Sequence, residues 1–288
     1  MPDLSKDWTL EFAPETGGAV KSCQYQGHEI LRTAVSHRDP REMSAFPMVP
    51  FIGRITNRKF IYQGNRILLN PNMPPEPHAI HGRGWQTPWT METDQAGAVW
   101  LSHIYDGDGD WPWAYRAEQR FSALGKTLMI TLSLTNTSQT TMPAGLGWHP
   151  YFPRTGAVMK ADVLAVWSGS GADNKGYGPQ PLTPEIDLRK ERPVSDLALD
   201  HCFTAGAGDV RLDWPTRGLS LDISASALLR HLTVYVPPGE NYFCVEPVSH
   251  APDAVNSHLP RDKTGLNILQ PSETLEAEIA FSVTLDAA

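Results

Sequence analysis

Regular alternation of apolar and polar residues is the feature that most restricts what this chain can fold into. Apolar side chains occupy every second position over residues 128–134, 219–223 and 275–283. Successive side chains of a β-strand point to opposite faces, so each of these segments predicts a strand with one buried face. No long, capped segment with a period of 3.6 residues accompanies them, and the sequence therefore predicts an all-β protein.

Turn signals separate several of the predicted strands. Gln26-Gly27, Gln63-Gly64-Asn65 and Leu124-Gly125-Lys126 each stand between two short strand-like runs, as hairpin connections do. The 288 residues contain no linker, low-complexity tract or internal repeat, and large all-β folds often reach this length as one unit. We expect a single domain over residues 1–288, folded as a large antiparallel β-sandwich.

Charge and composition exclude several classes of partner. The net charge of −8 argues against nucleic acid and anionic membrane, because both require basic patches. No apolar run approaches the roughly 18 residues that span a bilayer, and the first residues have no apolar segment typical of a signal peptide. Three widely spaced cysteines predict neither a disulfide framework nor a zinc site. We expect a cytoplasmic protein with no metal or other cofactor.

Two distant segments carry a pair of groups suited to proton transfer. His149 lies among aromatic residues in Gly147–Phe152, and Glu246 follows the apolar run Tyr242–Val245 directly. A carboxylate and an imidazole in apolar surroundings can move protons on a neutral substrate near pH 7. A glutamate within such a run is seldom buried without a function, whereas a packed histidine satisfied by the backbone is the other interpretation of His149.

Further polar residues could bind a hydroxylated ligand. Asn57-Arg58 precedes a predicted strand, although a surface arginine beside a turn would look the same. His81 lies in a glycine-rich loop three residues after His78, a spacing that suits metal ligands on a helix, but the flanking glycines and prolines oppose a helix. Asp200 precedes a short apolar run and could equally be a carboxylate at a strand edge.

Taken together, these segments form an ordered set of motifs. They are Gly53-Arg54-x-x-Asn57-Arg58, His81-Gly82, His149-Pro150-Tyr151-Phe152, Asp200-His201-x-Phe203, and Glu246-Pro247 followed by Pro252-Asp253-Ala254-Val255-Asn256. Each motif is weakly specific alone, but five in this order resemble the aldose 1-epimerase (galactose mutarotase) family over about residues 20–285. The resemblance implies a single β-sandwich of the galactose mutarotase-like supersandwich type.

The resemblance also implies an activity and the residues that perform it. Members of the family interconvert the α and β anomers of free aldoses by opening and closing the sugar ring. By resemblance, Glu246 is the base, His149 is the acid, and the sugar-binding positions are Arg58, His81 and Asp200, with Asn57 beside them. The implied partner is a small monosaccharide, no step requires a metal or nucleotide, and both a monomer and a homodimer are compatible with the sequence.

Two prolines mark departures from the better-known family members, which have Ser after the histidine and Thr after the glutamate where this chain has Pro150 and Pro247. The chain is also short for the family. These differences leave the catalytic pair intact but leave the sugar open between a hexose, a pentose and a deoxysugar. Two alternatives remain: a hexose-6-phosphate 1-epimerase, and a non-catalytic sugar-binding β-sandwich.

Overall fold

The structure is a computed structural model that describes residues 4, 6–36, 38–169 and 177–286, and most of it is β-sheet. The strands, in chain order, are β1 Trp8–Ala13, β2 Ala19–Tyr25, β3 His28–Leu31, β4 Ala45–Met48, β5 Arg54–Ile55, β6 Lys59–Tyr62, β7 Asn65–Leu68, β8 Ala79–Ile80, β9 Thr90–Thr93, β10 Val99–Tyr105, β11 Tyr115–Leu124, β12 Thr127–Asn136, β13 Met142–Ala144, β14 Gly147–Pro153, β15 Val158–Ser168, β16 Gly178–Gln180, β17 Arg192–Pro193, β18 Leu199–Trp214, β19 Leu219–Ala225, β20 His231–Val236, β21 Tyr242–Val248, β22 Asn267–Leu269 and β23 Thr274–Leu285.

Helical structure is limited to single turns. The described residues contain one four-residue α-helix, α1 (Arg261–Thr264), and 3₁₀ turns at Pro40–Glu42, Thr56–Arg58, Gly84–Gln86, Val194–Asp196, Pro215–Arg217 and Ala254–Asn256. None of these helices has the length and apolar character needed to cross a membrane.

The predicted strands are confirmed. The alternating segments fall in β12, β19 and β23, where buried residues alternate with more exposed ones. The turns at Gln26-Gly27 and Gln63-Gly64 connect β2 to β3 and β6 to β7. All-β architecture therefore followed directly from the period of two.

Seventeen of the described strands form one antiparallel hydrogen-bonded network that folds into two layers. One layer runs from β9 through β10, β11, β12 and β23 to β19, and the other contains β2, β4, β14, β21 and β20. The long strand β18 joins them, because its residues 210–214 pair with β19 whereas its residues 199–204 pair with β20. The result is a large antiparallel β-sandwich, as predicted.

The main core lies between these layers and fixes which way β14 and β21 face. Trp148 and Phe152 of β14 pack against Phe281 of β23 in the opposite layer, with ring centroids 5.7 and 5.9 Å apart. Alternation along β14 then directs His149 and Tyr151 away from this core. In β21, Phe243 and Val245 belong to the core cluster, so the residues between and after them face the outer, concave side.

Candidate active site

A row of side chains across five paired strands of the concave face forms the floor of a cavity. The β4–β14 register places Phe46 opposite His149, and the β14–β21 register, Gly147 with Val248 and Tyr151 with Cys244, brings His149 opposite Glu246. Directly opposed residues of antiparallel strands share a face of the sheet. The cavity above this row has a volume of about 1050 Å³.

The row continues beyond the pair on β20 and β18. Glu246 is opposite Thr233, and Thr233 is opposite Cys202. These side chains also line the cavity. The cavity floor is therefore built by sheet register, which holds each side chain more rigidly than a loop would.

His149 and Glu246 are in direct contact. The His149 Nε2 atom lies 3.3 Å from Glu246 Oε1, and the two residues are 8% and 3% exposed. The imidazole packs against Phe46, at 4.5 Å between centroids, and against Tyr151, at 4.8 Å. The centroids of these two aromatic rings are themselves 6.1 Å apart, so both rings pack beside the imidazole and restrict its rotation.

Burial governs the charge of both groups. It raises the pKa of Glu246 well above its ordinary value, and the neighbouring Asp200 carboxylate raises it further whereas Arg54 lowers it. For His149, burial lowers the pKa to about 3, with the Arg32 guanidinium acting in the same direction. Both effects favour a neutral imidazole beside a protonated Glu246 carboxyl group. Moving the carboxyl proton from Glu246 to His149 Nε2 produces the ion pair.

His81 approaches the pair from a tight turn. His81 and Gly82 both have positive φ, 58° and 73°, and a Cβ on Gly82 would lie 2.1 Å from the Val49 carbonyl oxygen. The Gly53 N–H donates to His81 Nδ1 at 3.2 Å, which assigns the ring proton to Nε2 when the ring is neutral. Its ring centroid lies 5.5 Å from that of His149. His81 is therefore placed as a hydrogen-bond donor beside the pair.

Asp200 and Arg54 lie at the rim of the same cavity. Arg54 Nε donates to Glu76 at 3.1 Å, and its Nη1 lies 4.0 Å from Asp200 Oδ2. Glu76 in turn lies 3.8 Å from His78. Both Arg54 and Asp200 keep exposed side chains, so they can exchange water for the hydroxyls of a ligand.

Asn57 and Arg58 differ in position from the other predicted site residues. Neither is among the described residues that line the cavity. Arg58 donates to the Leu69 carbonyl at 3.1 Å, while the Leu69 N–H donates to the Arg58 carbonyl. The Asn57 N–H donates to His78 Nδ1, so its backbone supports the rim. The structure thus brings His149, Glu246, His81 and Asp200 to one cavity together with Arg54, whereas Asn57 and Arg58 lie outside its described lining.

Several cavity residues were missed by the sequence reasoning. Arg54 belongs to the same motif as Arg58. The sequence does not show which of these two arginines, four positions apart, points into the cavity, because that depends on the shape of the turn between them. Phe46, Thr233 and Cys202 reach the floor only through strand register, which no motif in the sequence specifies. No local sequence pattern could therefore have predicted that these three residues line the cavity.

Comparison with known proteins agrees with the fold and with the ordered motifs. Residues 11–282 match the family model of aldose 1-epimerase. The Escherichia coli K12 protein YphB, which is uncharacterised, is 27% identical over 277 residues that cover 93% of each chain.

Two solved structures extend the comparison. A candidate aldose 1-epimerase of Escherichia coli K12 superposes with a TM-score of 0.83 and 26% identity, covering 97% of both chains. A galactose 1-epimerase of Lactobacillus acidophilus NCFM gives a TM-score of 0.75 at 14% identity, covering 98% of this chain and 92% of that one, which shows a shared fold. With nearly the whole chain matched by the family model, the protein belongs to the aldose 1-epimerase family.

Proposed function

We propose that this protein interconverts the α and β anomers of a free aldose. The observation that carries the proposal is the contact between His149 Nε2 and Glu246 Oε1 on the floor of an open cavity. Ring opening removes a proton from the C1 hydroxyl and adds one to the ring oxygen, and both oxygens are bonded to C1. An acid and a base must therefore lie within a few ångströms of each other, as these two groups do.

The number of protons exchanged in ring opening fits a His149–Glu246 pair that carries one transferable proton. In the ion-pair form, Glu246 takes the proton from the C1 hydroxyl while His149 gives its proton to the ring oxygen. The ring opens to the aldehyde, and the pair is left neutral, which is the form that burial favours. After rotation about the C1–C2 bond, closure on the other face of the carbonyl runs the same transfers in reverse. Each positioned transfer contributes about 10²–10⁴ in rate.

Residues at the wall and rim would orient the sugar. His81 can donate from Nε2 to an oxygen near C1, and Asp200 can accept from hydroxyls farther along the ring. Arg54 supplies a charged donor beside Asp200. Groups that hold the reacting atoms in place convert binding energy into rate, which is the contribution we assign to these three residues.

The arginines of the cavity favour a free sugar over a phosphorylated one. A phosphate site requires cationic groups that converge on one point. Of the cavity-lining arginines in the described residues, Arg41 pairs with Asp39 and Arg54 pairs with Glu76. Arg32 donates to the backbone carbonyls of Met43 and Arg41. Each guanidinium is thus held by its own protein partners, and part of its donor capacity is already used.

The decisive experiment is the rate at which freshly dissolved anomers equilibrate. Purified protein should accelerate the change in optical rotation of α-D-glucose, α-D-galactose or a pentose above the buffer rate, with glucose 6-phosphate as the comparison substrate. Acceleration of glucose 6-phosphate alone would favour the hexose-6-phosphate 1-epimerase. A protein that binds sugars in calorimetry but leaves every rotation at the buffer rate would be a non-catalytic binder, and the proposal would fail.

Arg54→Ala should damage the reaction more than Arg58→Ala. Loss of a charged hydrogen bond costs about 1.5–3 kcal/mol, so we expect kcat/KM of Arg54→Ala to fall about 10–100-fold. Arg58 bonds the Leu69 carbonyl, and its loss should lower Tm rather than kcat/KM. Kinetics and thermal melts of both variants give the comparison. The opposite ranking, with Arg58→Ala the less active, would return the sugar-binding role to Arg58.

A further inference from the structure

Cys244 lies beside the catalytic pair, although the proposed reaction does not use it. It precedes Glu246 by two positions in β21 and therefore shares its face, and the register places it opposite Tyr151. The side chain is completely buried and forms no disulfide. One ligand atom each from His149, Cys244 and Glu246 lies within 4.8 Å of the other two.

We propose that His149, Cys244 and Glu246 form a binding site for one thiophilic divalent cation, Zn²⁺ or Cd²⁺, and that the bound cation inhibits the enzyme. The inhibitory part rests on the proposed anomer interconversion, whereas binding of the cation does not. The cation would be an inhibitor rather than a cofactor, since it occupies both proton-transfer groups.

The geometry is close to that of a tetrahedral site. Zinc binds imidazole nitrogen and carboxylate oxygen at about 2.0–2.1 Å and thiolate sulfur at about 2.3 Å. Tetrahedral angles then separate a nitrogen and an oxygen ligand by roughly 3.3 Å and a sulfur from either by roughly 3.6 Å. His149 Nε2 and Glu246 Oε1 are already 3.3 Å apart. The Cys244 sulfur lies no more than 4.8 Å from the other two ligand atoms, so it would need to approach each by at most about 1.2 Å.

Charge balance supports a dication at this depth. On binding, Cys244 loses its thiol proton and Glu246 binds as a carboxylate, so two negative charges offset the two positive charges while His149 stays neutral. Buried charge is tolerated when it is fully compensated in this way. The thiolate selects zinc and cadmium over magnesium and calcium, which prefer oxygen ligands.

The proposed site is open to solvent and supplies only three of the four ligands of a tetrahedral cation, as expected for reversible inhibition. His149 and Glu246 line the cavity, so a cation can enter from solvent. Three protein ligands leave a fourth position for water, the arrangement of open rather than structural zinc sites. In addition, His149 Nδ1 has no hydrogen-bond partner among the described residues, and lack of such outer support weakens metal binding by roughly 10–100-fold. The fold itself therefore does not depend on the cation.

The test compares two buried cysteines, Cys244 of the proposed cation site and Cys202 on the cavity floor. In wild type, ZnCl₂ should inhibit anomer equilibration in competition with the sugar, and EDTA should restore the rate. Cys244→Ser and Cys244→Ala should each raise the half-inhibiting Zn²⁺ concentration by at least about tenfold, measured against each variant's own uninhibited rate. Cys202→Ser should stay as sensitive as wild type, because Cys202 lies two strands away from Glu246.

Cobalt substitution gives a readout that is independent of activity. Co²⁺ bound to wild type should show a thiolate-to-cobalt charge-transfer band in the near ultraviolet, with one ion per chain, and Cys244→Ser should lose the band. Equal zinc sensitivity in wild type and Cys244→Ser, or a cobalt complex without the thiolate band, would overturn the proposal. A wild type with the thiolate band but no anomer equilibration would retain the site and disprove the proposed function instead.

Discussion

Glu246→Gln should lower kcat for anomer equilibration by about 10²–10⁴. Glutamine keeps the shape of glutamate and can donate a hydrogen bond, but it cannot take the proton from the C1 hydroxyl. Sugar affinity should change little, because the loss falls on the transition state. Initial rates from polarimetry, with sugar binding measured by calorimetry, would separate kcat from affinity.

Stability of the same variant provides a check on folding. The pKa of Glu246 is raised in the folded state, so the folded protein binds this proton more tightly than the unfolded chain. The carboxyl group therefore reduces stability once the pH rises above its ordinary value of 4.5. At pH 7, a neutral glutamine should leave Tm unchanged or raise it.

The matched control is Glu240→Gln, which changes an exposed carboxylate of the same cavity that touches neither member of the pair. Its rate should stay within a few-fold of wild type. A folded Glu246→Gln protein with a near-normal rate would remove Glu246 from the role of base.

The fold was predictable because its signal is local. Alternation in residues 128–134 marks one buried face, and β12 extends from Thr127 to Asn136 as this pattern requires. The strand order was not predictable, since the double pairing of β18, with β19 at one end and β20 at the other, joins segments that have no relation in sequence. Only long-range packing determines which strands become neighbours.

The site residues that were predictable from the sequence are those with a proton-transfer group in unusual, apolar surroundings. His149 and Glu246 stood out because a polar group in an apolar run is costly, and register then placed them in contact. Arg54 and Arg58 show the limit of this reasoning. Both are arginines of one motif, and the positive φ values of Asn57 and Arg58, which turn the chain between them, are set by contacts with the His78 and Leu69 segments.

His149→Ala should also reduce kcat by at least about 10², because the variant lacks the group that gives a proton to the ring oxygen. Alanine leaves a space beside Phe46 and Tyr151, and loss of such a buried ring costs roughly 3–5 kcal/mol by analogy with aromatic-to-alanine changes. A lower rate could therefore reflect either lost chemistry or a distorted floor, and rates alone would not tell these apart.

Chemical rescue separates the two causes. Added imidazole can enter the space and replace both the ring and its proton, whereas pyrrole has the same ring size and no basic nitrogen. We expect imidazole to restore a measurable part of kcat in His149→Ala and pyrrole to restore only Tm. Equal rescue by both compounds would assign His149 a packing role. Rescue by imidazole alone would show that the reaction requires proton transfer through Nε2, the atom that lies 3.3 Å from Glu246 Oε1.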